Sequence, residues 1–169
     1  MQEMPEQYRA RMFQHLGSQD PLKLQASTPA KLQRLLKGVS PAKLRKRPQP
    51  NKWSVSEIVC HLADTELVGG FRMRLILGAP GTPITPFDQD VWVTALHYDK
   101  RDARKAFDQF RVLREANLAL LKTLTPAQWK QVGMHAERGP ESVETIAKMF
   151  AGHDINHLRQ IEAILAAKK

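Results

Sequence analysis

Proline and glycine punctuate this chain unevenly, and that punctuation limits its fold more than any other feature. The eleven prolines and nine glycines of the 169 residues gather in a few places, notably RKRPQPN at 45–51 and GAPGTPITP at 78–86. A proline inside a helix lacks an N–H and clashes with the carbonyl four residues back, so long helices avoid it. Residues 51–79, 87–125 and 141–169 contain none. Each stretch is long enough for a helix of many turns at 3.6 residues per turn. A few long helices joined by short breaks suit an all-α fold, a four-helix bundle.

End signals place the helices. A short amphipathic helix fits residues 5–16, closed by Gly17, as an N-terminal extension (1–20) packing on the bundle. Thr28-Pro29 reads as a cap followed by proline at the first helical position, starting a helix that carries Leu32, Leu35 and Leu36 and stops at Gly38. Ser40-Pro41 opens one further turn. Ser54 and Glu57 form an S-x-x-E capping box with Trp53 in front of it, starting a long helix to about Leu77. A short helix is expected over residues 87–96, a long one over 101–124, and a last one over 142–166. No segment reads as a strand. Residues 1–169 are therefore expected to form one domain.

Composition narrows the setting. The net charge of +9, from 26 basic and 17 acidic residues, could serve nucleic acid, a membrane surface, an anionic substrate or nothing in particular. The single cysteine, Cys60, cannot form an intramolecular disulfide and suits a reducing cytoplasm. No apolar run reaches the ~20 residues that a membrane-spanning helix requires. The charged N-terminus lacks the apolar segment of a signal peptide. A cytoplasmic location is the expectation.

Polar residues interrupt the predicted core stripes. At about 100° per residue, Val143, Ile146, Phe150, Ile161 and Ile164 form one apolar stripe on the last helix, and His153 and His157 fall in its middle. Burying an unpaired imidazole costs on the order of 1–3 kcal/mol per polar group. Either neighbouring side chains or water satisfy these rings, or a metal does, which the i, i+4 spacing allows. His61 lies about 60° from Ile58 on its own helix, at the edge of the stripe of Val55, Ile58, Leu62 and Gly69. It can face the same interior. Three neutral nitrogens are the usual protein share of an open catalytic metal site. On the 101–124 helix, Arg114 and Asn117 also lie in the apolar stripe of Phe107, Phe110, Leu113 and Leu121. A buried guanidinium needs a partner, either a carboxylate such as Glu66 or an anionic part of a substrate.

The segments PNKWSVSEIVCHLADTE and AGHDINHLRQIEAIL resemble the two signature helices of the DinB / YfiT-like superfamily. The similarity runs from about Pro21 to Leu165, on the anchors W-S-x-x-E-x-x-x-H-L-x-D-x-E and H-D-x-x-H-x-x-Q-I. The resemblance implies a four-helix bundle with a divalent metal on His61, His153 and His157. Nickel or zinc leads, and manganese and iron are compatible. It also implies a homodimer, a small-molecule substrate, and either hydrolysis or transfer to a low-molecular-weight thiol. FDQDVW, the Arg114/Asn117 pair and MHAERGPES resemble further family elements.

On this reading the catalytic candidates beyond the metal are Arg114, Asn117 and His135; Asp88 and His135, in loops, could offer a base. Asp64, Glu66, Asn156 and Gln160 are near enough in sequence to support the imidazoles. Cys60 is expected to pack rather than react. Two other classes stay open. One is a non-catalytic metal-binding or interaction bundle, and the other is nucleic-acid binding through Lys43, Arg45, Lys46, Arg47 and Lys52. The latter has no recognised motif to support it.

Overall fold

The computed structural model describes residues 4–167. They form eight α-helices and three short strands. Helices α1 (Pro5–Leu16), α2 (Pro21–Leu36) and α3 (Pro41–Arg45) precede the long α4 (Val55–Gly78). Strand β1 (Pro83–Ile84), α5 (Gln89–Ala95) and a 3-10 turn at Tyr98–Lys100 lead to α6 (Ala103–Leu121). The short α7 (Pro126–Trp129), β2 (Val132–His135) and β3 (Gly139–Ser142) precede α8 (Val143–Ala166). Helices α2, α8, α4 and α6 pack in that order around a ring and make the four-helix bundle, and α1 lies along the outside of α8.

Caps account for most of the starts. Ser54 and Glu57 bond reciprocally, Ser54 N–H donating to Glu57 Oε2 at 2.7 Å and Glu57 N–H to Ser54 Oγ at 3.3 Å. Asp88 and Asp102 each accept two backbone N–H groups at the starts of α5 and α6. Asp88 is thus a cap, with no sign of a role as a base.

The second helix begins eight residues earlier than Thr28-Pro29 suggests. Asp20 accepts from the N–H groups of Leu22 and Lys23, and Pro21 takes the first helical position. Pro29 sits inside α2 and has no N–H for the carbonyl of Gln25. Arg114 supplies the missing donor, its Nη1 lying 3.1 Å from Gln25 O. Tertiary contact has rescued a proline that the local rule reads as a start.

The three strands were not anticipated. β1 pairs parallel with β2, and β2 pairs antiparallel with β3 across a turn at Gly139, where φ is +70°. Two to four residues are too few for alternation of apolar and polar residues to register. The small sheet closes one end of the bundle against Ile76 and leaves the helical architecture intact.

The core has two large apolar clusters, beside a small third one of Leu16, Leu24 and Ala151. One gathers Leu32, Ile58, Leu62, Tyr98, Phe110 and Ile161, and the other Met73, Ile76, Ile84, Leu121, Val143 and Ile146. Between them every bundle helix contributes a buried polar residue: Thr28, Glu66, Arg114 and Asn117, and Asp154.

Candidate metal centre

His61 stands two turns into α4, and His153 and His157 occupy successive turns of α8. All three are buried, at 3%, 6% and 6% exposure. Their Nε2 atoms converge. His61 Nε2 lies 2.9 Å from His153 Nε2, which lies 3.0 Å from His157 Nε2. With metal–nitrogen bonds of about 2.0–2.1 Å, two imidazoles sharing one ion stand roughly 2.9–3.4 Å apart.

The rings cannot satisfy one another. An imidazole nitrogen carries either one hydrogen or one in-plane lone pair. His153 Nε2 therefore makes one good hydrogen bond, yet it has two ring nitrogens at bonding distance. Protonation does not resolve the crowding. Burial pushes His61 and His153 well below their ordinary range; His157 adds to this at His61, and His157, His61 and the charges of Arg114 and Arg11 add to it at His153. Burial takes His157 down to about 4, against the pull of its bond to Gln160 and the charge of Asp154. All three are neutral at pH 7. His157 Nδ1 is 3.0 Å from Gln160 Oε1, so this nitrogen holds the hydrogen and donates it to the amide oxygen. The Nε2 of that tautomer is a bare lone pair aimed at the other two rings. A donor set of three neutral nitrogens facing one point fits a divalent cation. Among the described residues these three are the one group of histidine, cysteine and carboxylate side chains close enough to share an ion.

Aromatic packing fixes the ring planes. Trp53 stacks on His157, with centroids 6.4 Å apart and planes 6° apart, and its ring centroid lies 5.0 Å from that of His61. Sequence reasoning gave Trp53 only a part at the helix start. It also missed Thr65, whose hydroxyl lies 3.5 Å from both nitrogens of His61. The i, i+4 spacing from His61 was the available signal.

Of the four side chains expected behind the ligands, only Gln160 is there. Asp64 accepts from Tyr98 Oη at 2.8 Å and from Arg101 at 2.6 Å. Asn156 accepts from Arg11 at 3.1 Å. Glu66 belongs to a separate network with the catalytic candidates Arg114 and Asn117. Arg114 donates to Glu66 at 2.8 Å, to Asp154 at 2.5 and 3.0 Å, and to Gln25 O. Asn117 donates to Glu66 Oε1 at 2.9 Å, and Asp154 accepts from Thr28 at 2.8 Å. Burial lowers the pKa of Arg114, but the charges of Asp154 and Glu66 more than offset it and hold it raised. At 2% exposure, Arg114 is the buried carboxylate partner foreseen as the alternative, not a hand held out to substrate.

His135 is also far from the histidines. It lies on β2, which packs near Ile76, fifteen residues and so about 22 Å along α4 from His61. Its Nδ1 accepts the Glu137 N–H at 3.2 Å. Cys60, buried in the core, has its thiol pushed up to about 11 by burial, so it is no nucleophile. Two of the basic residues at 43–52 are tied into the fold. Arg47 binds the buried Glu57, and Lys43 donates to Leu165 O at 3.2 Å. Among the described residues no helix is long and apolar enough to cross a membrane.

Fold and cluster together define a four-helix bundle with a three-histidine site of the kind that takes a divalent metal. The chain belongs to the DinB superfamily, whose sequence model matches residues 26–161. It is similar to a Halalkalibacterium halodurans protein named "Putative metal-dependent hydrolase", 25% identical over 83% of this chain and 82% of that one. YfiT of Bacillus subtilis carries the same name and is 25% identical over 79% of this chain and 75% of its own. The solved structure of YfiT, titled "a probable metal-dependent hydrolase with an unusual four-helix bundle topology", superposes with a TM-score of 0.78. That match covers 96% of this chain and 88% of YfiT at 23% identity, and it bears out the fold.

Proposed function

We propose that this protein is a metal-dependent enzyme whose divalent ion, nickel or zinc, is held by His61, His153 and His157. The observation that carries this reading is the convergence of three neutral Nε2 atoms that cannot all be satisfied by one another, with Gln160 fixing the tautomer of His157. A structural zinc site closes with a fourth protein ligand, and the described residues offer none. That leaves coordination positions for reactants. An ion there supplies Lewis acidity to a water or thiol that shares it. The chain orients the imidazoles, keeps them deprotonated by burial, and walls them with Trp53.

Hydrolysis is the reaction that the names of the relatives suggest. One observation favours transfer to a low-molecular-weight thiol. The buried acids nearest the histidines in sequence are all engaged: Glu57 by Arg47, Asp64 by Tyr98 and Arg101, and Glu66 and Asp154 by Arg114. Metal-assisted hydrolysis commonly draws on a carboxylate base beside the ion. A thiol, far more acidic than water, reaches its nucleophilic form with less help. The test is elemental analysis of untagged protein, followed by thiol-conjugation and ester or amide hydrolysis screens on the loaded form. One ion per chain, absent in His157→Ala, is expected. Wild-type protein that takes up neither nickel nor zinc overturns the reading.

A further inference from the structure

A hydroxyl on a helical serine or threonine commonly turns back to the backbone carbonyl three or four residues earlier. Ser27 and Thr28 both bond to Leu24 O in this way, and Thr94 bonds to Asp90 O. Thr65 does not. One turn beyond His61 on the same face of α4, it points its Oγ1 at the imidazole instead, 3.5 Å from Nδ1 and 3.5 Å from Nε2. Those equal distances do not make a hydrogen bond. Each ring nitrogen directs its lone pair or its hydrogen outward in the ring plane, and the two directions diverge. A hydroxyl equally far from both nitrogens lies along neither, and 3.5 Å is already long for a bond. Thr65 thus touches the ring while its donor and its lone pairs stay uncommitted. It is half-buried, and it stands level with the His61 nitrogen that faces the other two rings. Gln160, by contrast, stands behind His157 at Nδ1. With the buried acids engaged elsewhere, the hydroxyl is a group that can reach a reactant at the histidines without bringing charge.

We propose that Thr65 is a further catalytic residue, whose hydroxyl donates a hydrogen bond to the anionic nucleophile placed at the three histidines. A threonine hydroxyl stays protonated at neutral pH, so it removes no proton. It suits a nucleophile that arrives as an anion, such as a thiolate, by stabilising that charge and aiming it. This rests on the metal-site reading, and the experiment separates the two. Cobalt(II), a neighbour of nickel and zinc in the affinity order, is loaded in their place because its visible spectrum reports what joins its coordination. The loaded protein is titrated with two probes, azide and 2-mercaptoethanol. Thr65→Val keeps the volume and loses the hydroxyl, and Thr65→Ser keeps the hydroxyl and loses the methyl group. The valine variant is expected to bind both probes about tenfold more weakly, the scale of one hydrogen bond to a charged acceptor. The serine variant stays close to wild type, and cobalt content and cobalt affinity are the same in all three proteins. Wild-type probe affinity in Thr65→Val overturns the role of the hydroxyl. So does a loss confined to Thr65→Ser, which marks packing by the methyl group, or a loss of cobalt from Thr65→Val, which marks support of the His61 ring. Each of these leaves the metal reading standing. Wild type that takes up no cobalt, or takes it up and binds neither probe, overturns the metal reading and this proposal with it.

Discussion

The bundle buries two polar clusters, on neighbouring faces of α8, that solve the problem of burial in opposite ways. Around Arg114 the charges answer one another. Two carboxylates face one guanidinium, Asn117 and Thr28 take further oxygen positions, and the carbonyl left open by Pro29 is also served. Around His153 the answer is incomplete. Three neutral rings bring their Nε2 atoms to 2.9 and 3.0 Å, His153 Nε2 can make only one of those two contacts a hydrogen bond, and the one clear partner, Gln160, stands behind them. Burial alone therefore says little about function. A polar cluster whose charges pair off holds the fold together, even with Arg114 Nε left without a partner, and one whose ring nitrogens converge faster than they can bond suits a cation.

If that distinction holds, the largest effect on stability belongs to Arg114. Replacing it with alanine leaves Glu66 and Asp154 buried without their counter-charge, a loss of about 3–5 kcal/mol. Urea denaturation measures it, and a loss below about 1 kcal/mol would mean that the network is not closed. The protein that still folds should keep its metal, since no member of that network touches the imidazoles.

His153→Ala is the mirror experiment. It should destabilise the metal-free protein by less than Arg114→Ala does, because it removes a ring whose contacts there are unsatisfied. It should weaken metal binding by more than the roughly 10–100-fold typical of losing a group behind a ligand. Equilibrium dialysis against zinc gives the second number. A variant that kept wild-type affinity would remove His153 from the site.

Acid should separate the clusters next. A histidine whose folded pKa lies below its unfolded value gives stability that is whole above about 6.5 and is lost as pH falls towards the folded value. In that window the unfolded chain takes protons that the fold refuses. With His157 at about 4 in the fold, this one ring should cost the metal-free protein about 2 kcal/mol at pH 5. Thermal denaturation from pH 7 to 5, without metal, checks it. In His157→Ala that share of the slope should disappear. A bound ion competes with the same protons, so the loaded protein should release it over this range.

The two clusters were unequally legible in the sequence. The histidines could be found because each sits in an apolar stripe where the helical period demands carbon, and the same test found Arg114 and Asn117. Which cluster was closed could not be read. Asp154 lies beside His153 in sequence but about 100° around the helix from it, and only the packing of α2, α4 and α6 shows that it faces Arg114. The start of α2 was misplaced for the same reason, since the donor that makes Pro29 tolerable comes from residue 114. Strands of two to four residues carry too little pattern to see. Gly152, where a Cβ would stand 1.9 Å from Met12 O on α1, was the one visible trace of that helix's packing on α8, and a mid-helix glycine does not announce what approaches it.

The smallest effect tests the edge where the open cluster meets ordinary hydrogen bonding. Gln160 touches no point where an ion would sit, yet its amide oxygen accepts the Nδ1 hydrogen of His157 at 3.0 Å. Without that acceptor the hydrogen can move to Nε2, where it blocks coordination, and the ring can swing on Cβ. Gln160→Ala should therefore weaken zinc by about 10–100-fold, roughly 1.4–2.7 kcal/mol, with one ion per chain still bound at saturation. Gln160→Glu offers a charged acceptor in the same place and should restore at least the wild-type affinity. Loss in both variants would assign Gln160 to packing. No loss in either would mean that Trp53, stacked 6.4 Å away, already holds the ring.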